Sequence, residues 1–307
     1  MPKKVIVLGG SGMLGSMVVD YLSCQPDLKV AATVRTQALL SKCKERLSAV
    51  DWLLLDADAP DLLNIISMID GYDWLINAIG ITKPLIHDNN AIEVERALRI
   101  NSLLPYRIAR RAQQNGQRVL QIATDCVFSG EKGRYTESDE HNPLDVYGKT
   151  KSLGEVPAQT VSHLRCSIIG PEPKEHRFLL DWFLGQSRNA GVSGYVNHRW
   201  NGVTTLHFAK LCHGIIDKGA TLPHLQHVIP SGEVTKYELL RCFAESFHRE
   251  DISITPTEAT SVVDRTLETT NEALNRELWA LAGYSPPPSV PEMVTELASF
   301  NYRLVGL

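Results

Sequence analysis

The chain has 307 residues, 43% hydrophobic and 21% charged, with a formal net charge of −4 at pH 7 and a pI near 6.2. This composition is ordinary for a soluble globular protein with room for a large core in about two domains, and it lacks the basic excess of a nucleic-acid-binding surface. No apolar run approaches the ~20 residues of a membrane span, and the VIVL run after Lys3 and Lys4 is too short for the core of a signal peptide. The six cysteines are scattered without C-x-x-C pairs, and the ten histidines form no H-x-H or H-E-x-x-H cluster. A cytoplasmic protein without a metal site and without nucleic-acid or membrane partners is expected.

In chain order, VIVL (5–8) reads as a strand, 13–23 as a helix, 30–34 as a second strand and 38–48 as a second helix. WLLL (52–55), WLINAI (74–79) and VLQIA (119–123) follow as strands, with helices expected near 60–69 and 92–115. Strands alternating with helices predict an α/β fold, a Rossmann-type doubly wound parallel sheet with ligands at the carboxyl ends of its strands. The second half is less regular. HLRCSII (163–169) reads as a further strand, 179–186 as part of a helix, and 206–217 and 236–248 carry helical periodicity. A proline-rich turn enters a last helix over 285–300. The layout predicts a dinucleotide-binding domain over 1–165, with 196–218 returning to it, and a smaller C-terminal substrate-binding part over 166–307.

Gly9, Gly10, Gly12 and Gly15 lie between the first strand and the first helix, satisfying both G-x-x-G-x-x-G and G-x-G-x-x-G. Glycines there permit a tight turn and let a pyrophosphate approach the helix N-terminus. Ser11, Met13 and Leu14 complete the segment expected to face the cofactor. The second strand ends in Arg35 and not in the acid that would hold the ribose hydroxyls of NAD, which favours NADPH over NADH. Asp56 and Ala57 after the third strand are candidates for the adenine edge, and Ala78, Ile79 and Gly80 after the fourth for close passage of the cofactor.

Of nine tyrosines, only Tyr147 is followed by a lysine four residues later, Lys151. On a helix that spacing puts both on one face. A nearby ammonium is expected to lower the phenol from a reference pKa of roughly 10 toward the working range of an acid–base catalyst for a carbonyl or alcohol.

With GGSGMLG, NAIG, ATDCVF and YGKTK in order, the chain resembles the extended short-chain dehydrogenase/reductase family, and within it the dTDP-4-dehydrorhamnose reductase group. TDCVFSGEKGRYTESDEHNPLDVYGKTKSLGE and NGVTT carry the closer likeness. The resemblance implies NADPH-dependent reduction of a nucleotide-linked 4-keto-6-deoxysugar, with Thr124, Tyr147 and Lys151 as the catalytic set and Asn101 supporting a proton or water relay. It also implies a substrate side formed by Lys83, Asp125, Cys126, Val127, Arg165 and Trp200. Trp200 suits either stacking on a base or sugar ring or a place in the core. A homodimer is the default assembly.

Some positions depart from the group. Cys126 stands where rhamnose-forming reductases have Tyr, and Arg165-Cys166-Ser167-Ile168 replaces Arg-Thr-Ser-Trp, which questions rhamnose as the sugar. Dehydratases of the family carry Thr-Asp-Glu, and the third position here is Cys126. GDP-fucose synthase, which also epimerises, pairs a Cys two residues after its catalytic Ser with a later His; Cys126 and His176 match that pattern. A third reading is a non-catalytic NADP-binding regulatory subunit, like that of methionine adenosyltransferase.

Overall fold

The computed structural model describes residues 1–59, 67–174 and 176–307. Six strands, β1 (Lys3–Leu8), β2 (Leu28–Val34), β3 (Asp51–Leu54), β4 (Trp74–Asn77), β5 (Arg118–Ala123) and β6 (Val161–Arg165), join an edge strand, Leu225–His227, in one sheet. From that edge the order is Leu225–His227, β6, β5, β4, β1, β2, β3, and every neighbouring pair is parallel. The expected helix near 60–69 lies largely outside the described residues.

The sheet is covered on both faces, as parallel sheets require. Val5 and Val7 of β1 pack into one core with Met17, Val18 and Leu22 of helix α1 (Met13–Leu22), while Ile6 and Leu8 pack into another with Leu104 and Ile108. This two-residue alternation is the strand's own period. Helix α2 (Gln37–Arg46) adds Leu40 and Cys43 to the first core. Helix Leu104–Asn115 covers the opposite face. The architecture is Rossmann-type and doubly wound, and its strand order reverses between β1 and β4, opening a crevice at their carboxyl ends.

The helix expected over 92–115 is interrupted. Ala91–Ala97 and Leu104–Asn115 are joined by a π-helical turn, Leu98–Leu103. The strand expected over 163–169 also divides: β6 ends at Arg165, and Ile168–Ile169 pairs in parallel with Val203–Thr204.

Beyond β6, helix Thr205–Lys218 packs on α1, putting Phe208, Leu211 and Ile215 into the first core. Helices Leu179–Leu184, Lys236–Ser246 and Val290–Ser299 add Phe183, Phe243 and Met293. Elements with no counterpart in the sequence reading include the edge strand, the parallel pair Gly191–Tyr195 with Ser253–Thr257, and helix Glu272–Leu281. A polar cluster ties Thr205–Lys218 to Val290–Ser299. His207 Nε2 lies 3.0 Å from Glu296, the Tyr284 hydroxyl and Lys210 donate to the same carboxylate, and Lys210 also donates to Tyr284 at 2.7 Å.

The chain then returns to α1. The Tyr302 hydroxyl donates to Ser16 Oγ at 2.6 Å, and Arg303 donates from its backbone N–H and its Nε to the two oxygens of fully buried Asp20, both at 2.6 Å. Among the described residues no helix is long and apolar enough to cross a membrane.

Candidate functional site

A cavity of about 580 Å³ opens at the carboxyl ends of the central strands. Gly9, Ser11, Gly12, Met13 and Leu14 form one wall. Gly12 caps α1 without a side-chain hydrogen bond, and the first helical turn holds no acidic residue. The backbone N–H groups there are thus left for an anion. Gly15 lies behind this wall, where a Cβ would stand 2.2 Å from the Gly9 carbonyl oxygen; its role is to let α1 close on the loop. Exposed Arg35 follows β2 on a second wall with Asp56 and Ala57, and Ala78, Ile79 and Gly80 follow β4 on a third.

Across from them sits the turn after β5. Thr124 caps the 3-10 turn Asp125–Val127: its hydroxyl oxygen accepts from the Cys126 N–H at 3.1 Å, and its O–H donates to Asp125 at 3.2 Å. Tyr147 stands in the first turn of helix Val146–Leu153, capped by Asp145, whose carboxylate accepts from the Gly148 N–H at 2.8 Å. Lys83 forms a 2.8 Å ion pair with the same carboxylate. A Cβ on Gly148 would lie 2.3 Å from the Cys126 carbonyl oxygen, so only glycine lets this helix seat directly on the turn. That seating brings the Tyr147 phenol into hydrogen-bonding reach of Thr124. One helical turn on, Lys151 is 8% exposed and donates to the Ile122 carbonyl at 3.0 Å. Thr124, Asp125, Cys126, Tyr147, Lys151 and Lys83 all line the cavity.

The electrostatics differ from the expectation. Burial first, then neighbouring Cys126, pushes the Tyr147 phenol above its ordinary value; the Thr124 hydrogen bond opposes this. Lys151 is itself pushed down to about 8 by burial, with Glu155 opposing. Its ammonium serves the Ile122 carbonyl, and no lowering of the phenol by Lys151 is evident. Desolvation outweighs the charge the spacing suggested.

Five further expectations are not met at the cavity. Asn101, in the π-helical turn, accepts from the Ile81 N–H at 2.8 Å and donates to the Ile81 carbonyl and to Thr150 Oγ1. It pins the loop after β4 to the Tyr147 helix and does not line the wall. Val127 is fully buried with Phe128, Tyr135 and Leu267. Arg165 is fully buried, its guanidinium donating to Glu155 at 2.6 Å and approaching His141 and His227 at 2.8 and 3.0 Å. Trp200 is buried and donates to Ser167 Oγ at 2.8 Å, behind the wall. His176 is exposed, outside the cavity wall, with Nδ1 2.9 Å from Asp181.

Cys126 does reach the cavity, but burial, followed by Asp125, pushes its thiol up to about 12, so it holds its proton at neutral pH. Of the Cys126–His176 pair, only Cys126 lines the cavity.

The sequence reading reached the far wall only at Cys166-Ser167-Ile168. Ser167, Ile168, Glu172, Pro173 and Phe178 line the first cavity, and Arg177 and Phe178 are shared with a second cavity of about 790 Å³ that also touches Trp182, Tyr195, His198 and Lys236. Apart from Ser167 and Ile168, these residues come from segments without a motif, brought together by the return of the chain after β6.

Comparisons with known proteins agree with this arrangement. The chain is 30% identical over 189 residues to a dTDP-4-dehydrorhamnose reductase of Aggregatibacter actinomycetemcomitans, a match that covers 61% of this chain and only 53% of that relative. It is 24% identical over 267 residues to methionine adenosyltransferase 2 subunit beta of Danio rerio, covering 83% of this chain and 77% of the relative. A crystal structure of dTDP-4-dehydrorhamnose reductase from Bacillus anthracis in complex with NADP superposes with a TM-score of 0.74 at 18% identity, over 97% of this chain and 99% of that one, which establishes the shared fold. The family model described as the RmlD substrate binding domain matches residues 3–170, more than half of the chain and the whole stretch from the glycine loop through the Tyr147 helix, and the chain belongs to that family.

Proposed function

We propose that the protein is an NADPH-dependent reductase of a nucleotide-linked ketosugar, of the dTDP-4-dehydrorhamnose reductase type with a 4-keto-6-deoxysugar as substrate. The observation that carries this reading is the convergence of Thr124, Tyr147 and Lys151 on one cavity with the uncapped N-terminus of α1. That helix end, the glycines before it and Arg35 fit a dinucleotide with an additional phosphate. Asp56 and Ala57 would flank the adenine, and Ala78, Ile79 and Gly80 would border the cofactor's path. A reduced nicotinamide bound there supplies a hydride. In this proposal residues 1–165 with 196–218 form the cofactor half, and the remaining chain after 166 forms the substrate half.

The protein's own part is orientation and proton supply. The high affinity of the Tyr147 phenol for its proton keeps it protonated at neutral pH, the state needed to donate to an oxygen that gains negative charge. Thr124 Oγ1, beside the phenol, supplies a second hydrogen bond to the same oxygen once its O–H turns to it from Asp125. Lys151, close to its titration point, adds positive charge below pH 8. Asn101 keeps the loop and the Tyr147 helix at fixed separation.

Tyr147→Phe tests the reading. It should leave NADPH binding intact and reduce turnover of keto-sugar nucleotides by roughly 10²–10⁴-fold, the usual worth of a positioned proton donor. Near wild-type turnover in that variant overturns the assignment. The match to methionine adenosyltransferase 2 subunit beta over 83% of the chain favours a second reading, a cofactor-binding partner without turnover. Purified protein that binds NADPH but oxidises none with dTDP-, UDP- or GDP-linked 4-keto-6-deoxyhexoses decides for it.

A further inference from the structure

A lysine whose ammonium has no hydrogen-bond acceptor or counter-ion among the described residues stands in the second cavity. Lys236 is the first residue of helix Lys236–Ser246, whose N-terminus is already closed by the reciprocal Thr235 and Glu238 hydrogen bonds. Its backbone N–H donates to the His198 carbonyl at 2.9 Å. The side chain extends over the Trp200 ring, with Nζ 5.4 Å from the ring centre. Trp200 is held by its bond to Ser167, a residue on the wall of the first cavity. Lys236 lines the second cavity, next to the Arg177 and Phe178 partition.

Among the described residues the ammonium makes no side-chain hydrogen bond and no ion pair. Lys151 and Arg165, the buried cations among the described residues, are satisfied by Ile122 and Glu155 respectively. The charge that acts on Lys236 through space is that of Asp125, the residue after Thr124. Burial pushes the ammonium down to about 8, with Asp125 opposing. A half-buried cation without a counter-ion is costly to fold around unless a ligand completes it.

We propose that Lys236 binds an oxyanion of the substrate where it passes from the second cavity toward Tyr147, and so selects which sugar nucleotides are accepted. This rests on the sugar-nucleotide reading above. Two groups share the required chemistry: the pyrophosphate present in every sugar nucleotide, and a carboxylate on the sugar ring. The Trp200 face fixes the lysine stem, which makes the ammonium a stationary reader.

Binding measurements test this without turnover. UDP, dTDP and GDP are titrated into the wild-type protein, and the tightest binder is then compared with its glucose and glucuronate conjugates in wild type, Lys236→Met and Lys236→Arg. NADPH affinity in each variant controls for folding. A loss of about tenfold in Lys236→Met for all three ligands, largely restored in Lys236→Arg, supports the proposal and assigns the pyrophosphate. A similar loss confined to the glucuronate conjugate supports it and assigns a sugar carboxylate. Unchanged affinity for all ligands in Lys236→Met, with NADPH binding intact, overturns the role of Lys236 alone. Failure of the wild type to bind any of the three nucleotides overturns the sugar-nucleotide reading itself.

Discussion

Lys151 is buried and Tyr147 partly buried, and desolvation governs their proton affinities more than their proximity does. The pair was legible because a four-residue spacing survives in any helix. The direction of the phenol's shift was not, since burial depends on the turn of Asp125–Val127 and on the far wall. Arg165 and His176 show the same limit. A sequence offers their charges as ligands, while the fold gives one to Glu155 and the other to Asp181. Arg35 belongs to the legible group, because the end of β2 places it at the cavity by topology alone. Arg35→Ala should weaken NADPH by about tenfold, ~1.4 kcal/mol, and leave NADH within about twofold, as read by fluorescence titration of both. Equal losses for the two would show that Arg35 does not recognise the additional phosphate.

At the scale of elements, the helix that carries Tyr147 is set by its contact with a turn distant in sequence. Gly148 meets the Cys126 carbonyl so closely that a methyl group there forces the two apart. Gly148→Ala should lower turnover roughly 10²-fold, since a displacement near 1 Å suffices for such a loss. Its stability should fall by about 1–3 kcal/mol. A folded variant with wild-type turnover would show that the seating is not needed. The strands of the first half were legible from short apolar runs between turn signals. The π-helical turn was not, because Asn101 leaves the regular path to satisfy the Ile81 backbone and Thr150, partners from other elements. Helix Glu272–Leu281 was also missed; its charged residues obscure the apolar face that Leu278 and Trp279 present to the core.

For the molecule as a whole, the polar cluster around Glu296 joins helix Val290–Ser299 to helix Thr205–Lys218. Its hydrogen bond from His207 and those from Lys210 and Tyr284 hold the carboxyl well below the usual carboxylate range. Such a depressed acid contributes stability that is complete above its unfolded value, 4.5, and lost as pH falls toward the folded one. Because the carboxylate is 38% exposed, the contribution is discounted to about 1 kcal/mol. Glu296→Gln should therefore melt roughly 2–4 °C lower at pH 7, with the gap closing below pH 4.5; a constant gap across that range would place the effect elsewhere. Alternation of strand and helix foretold the parallel sheet, but the edge strand and the closing contacts depend on segments whose local pattern is weak. The Arg303–Asp20 clasp spans 283 positions. A ribosome therefore releases an acid destined for the interior long before the arginine that neutralises it, and the sheet waits on Leu225–His227 for its last strand. The seven-stranded sheet therefore cannot be completed until the chain has been made beyond Leu225–His227.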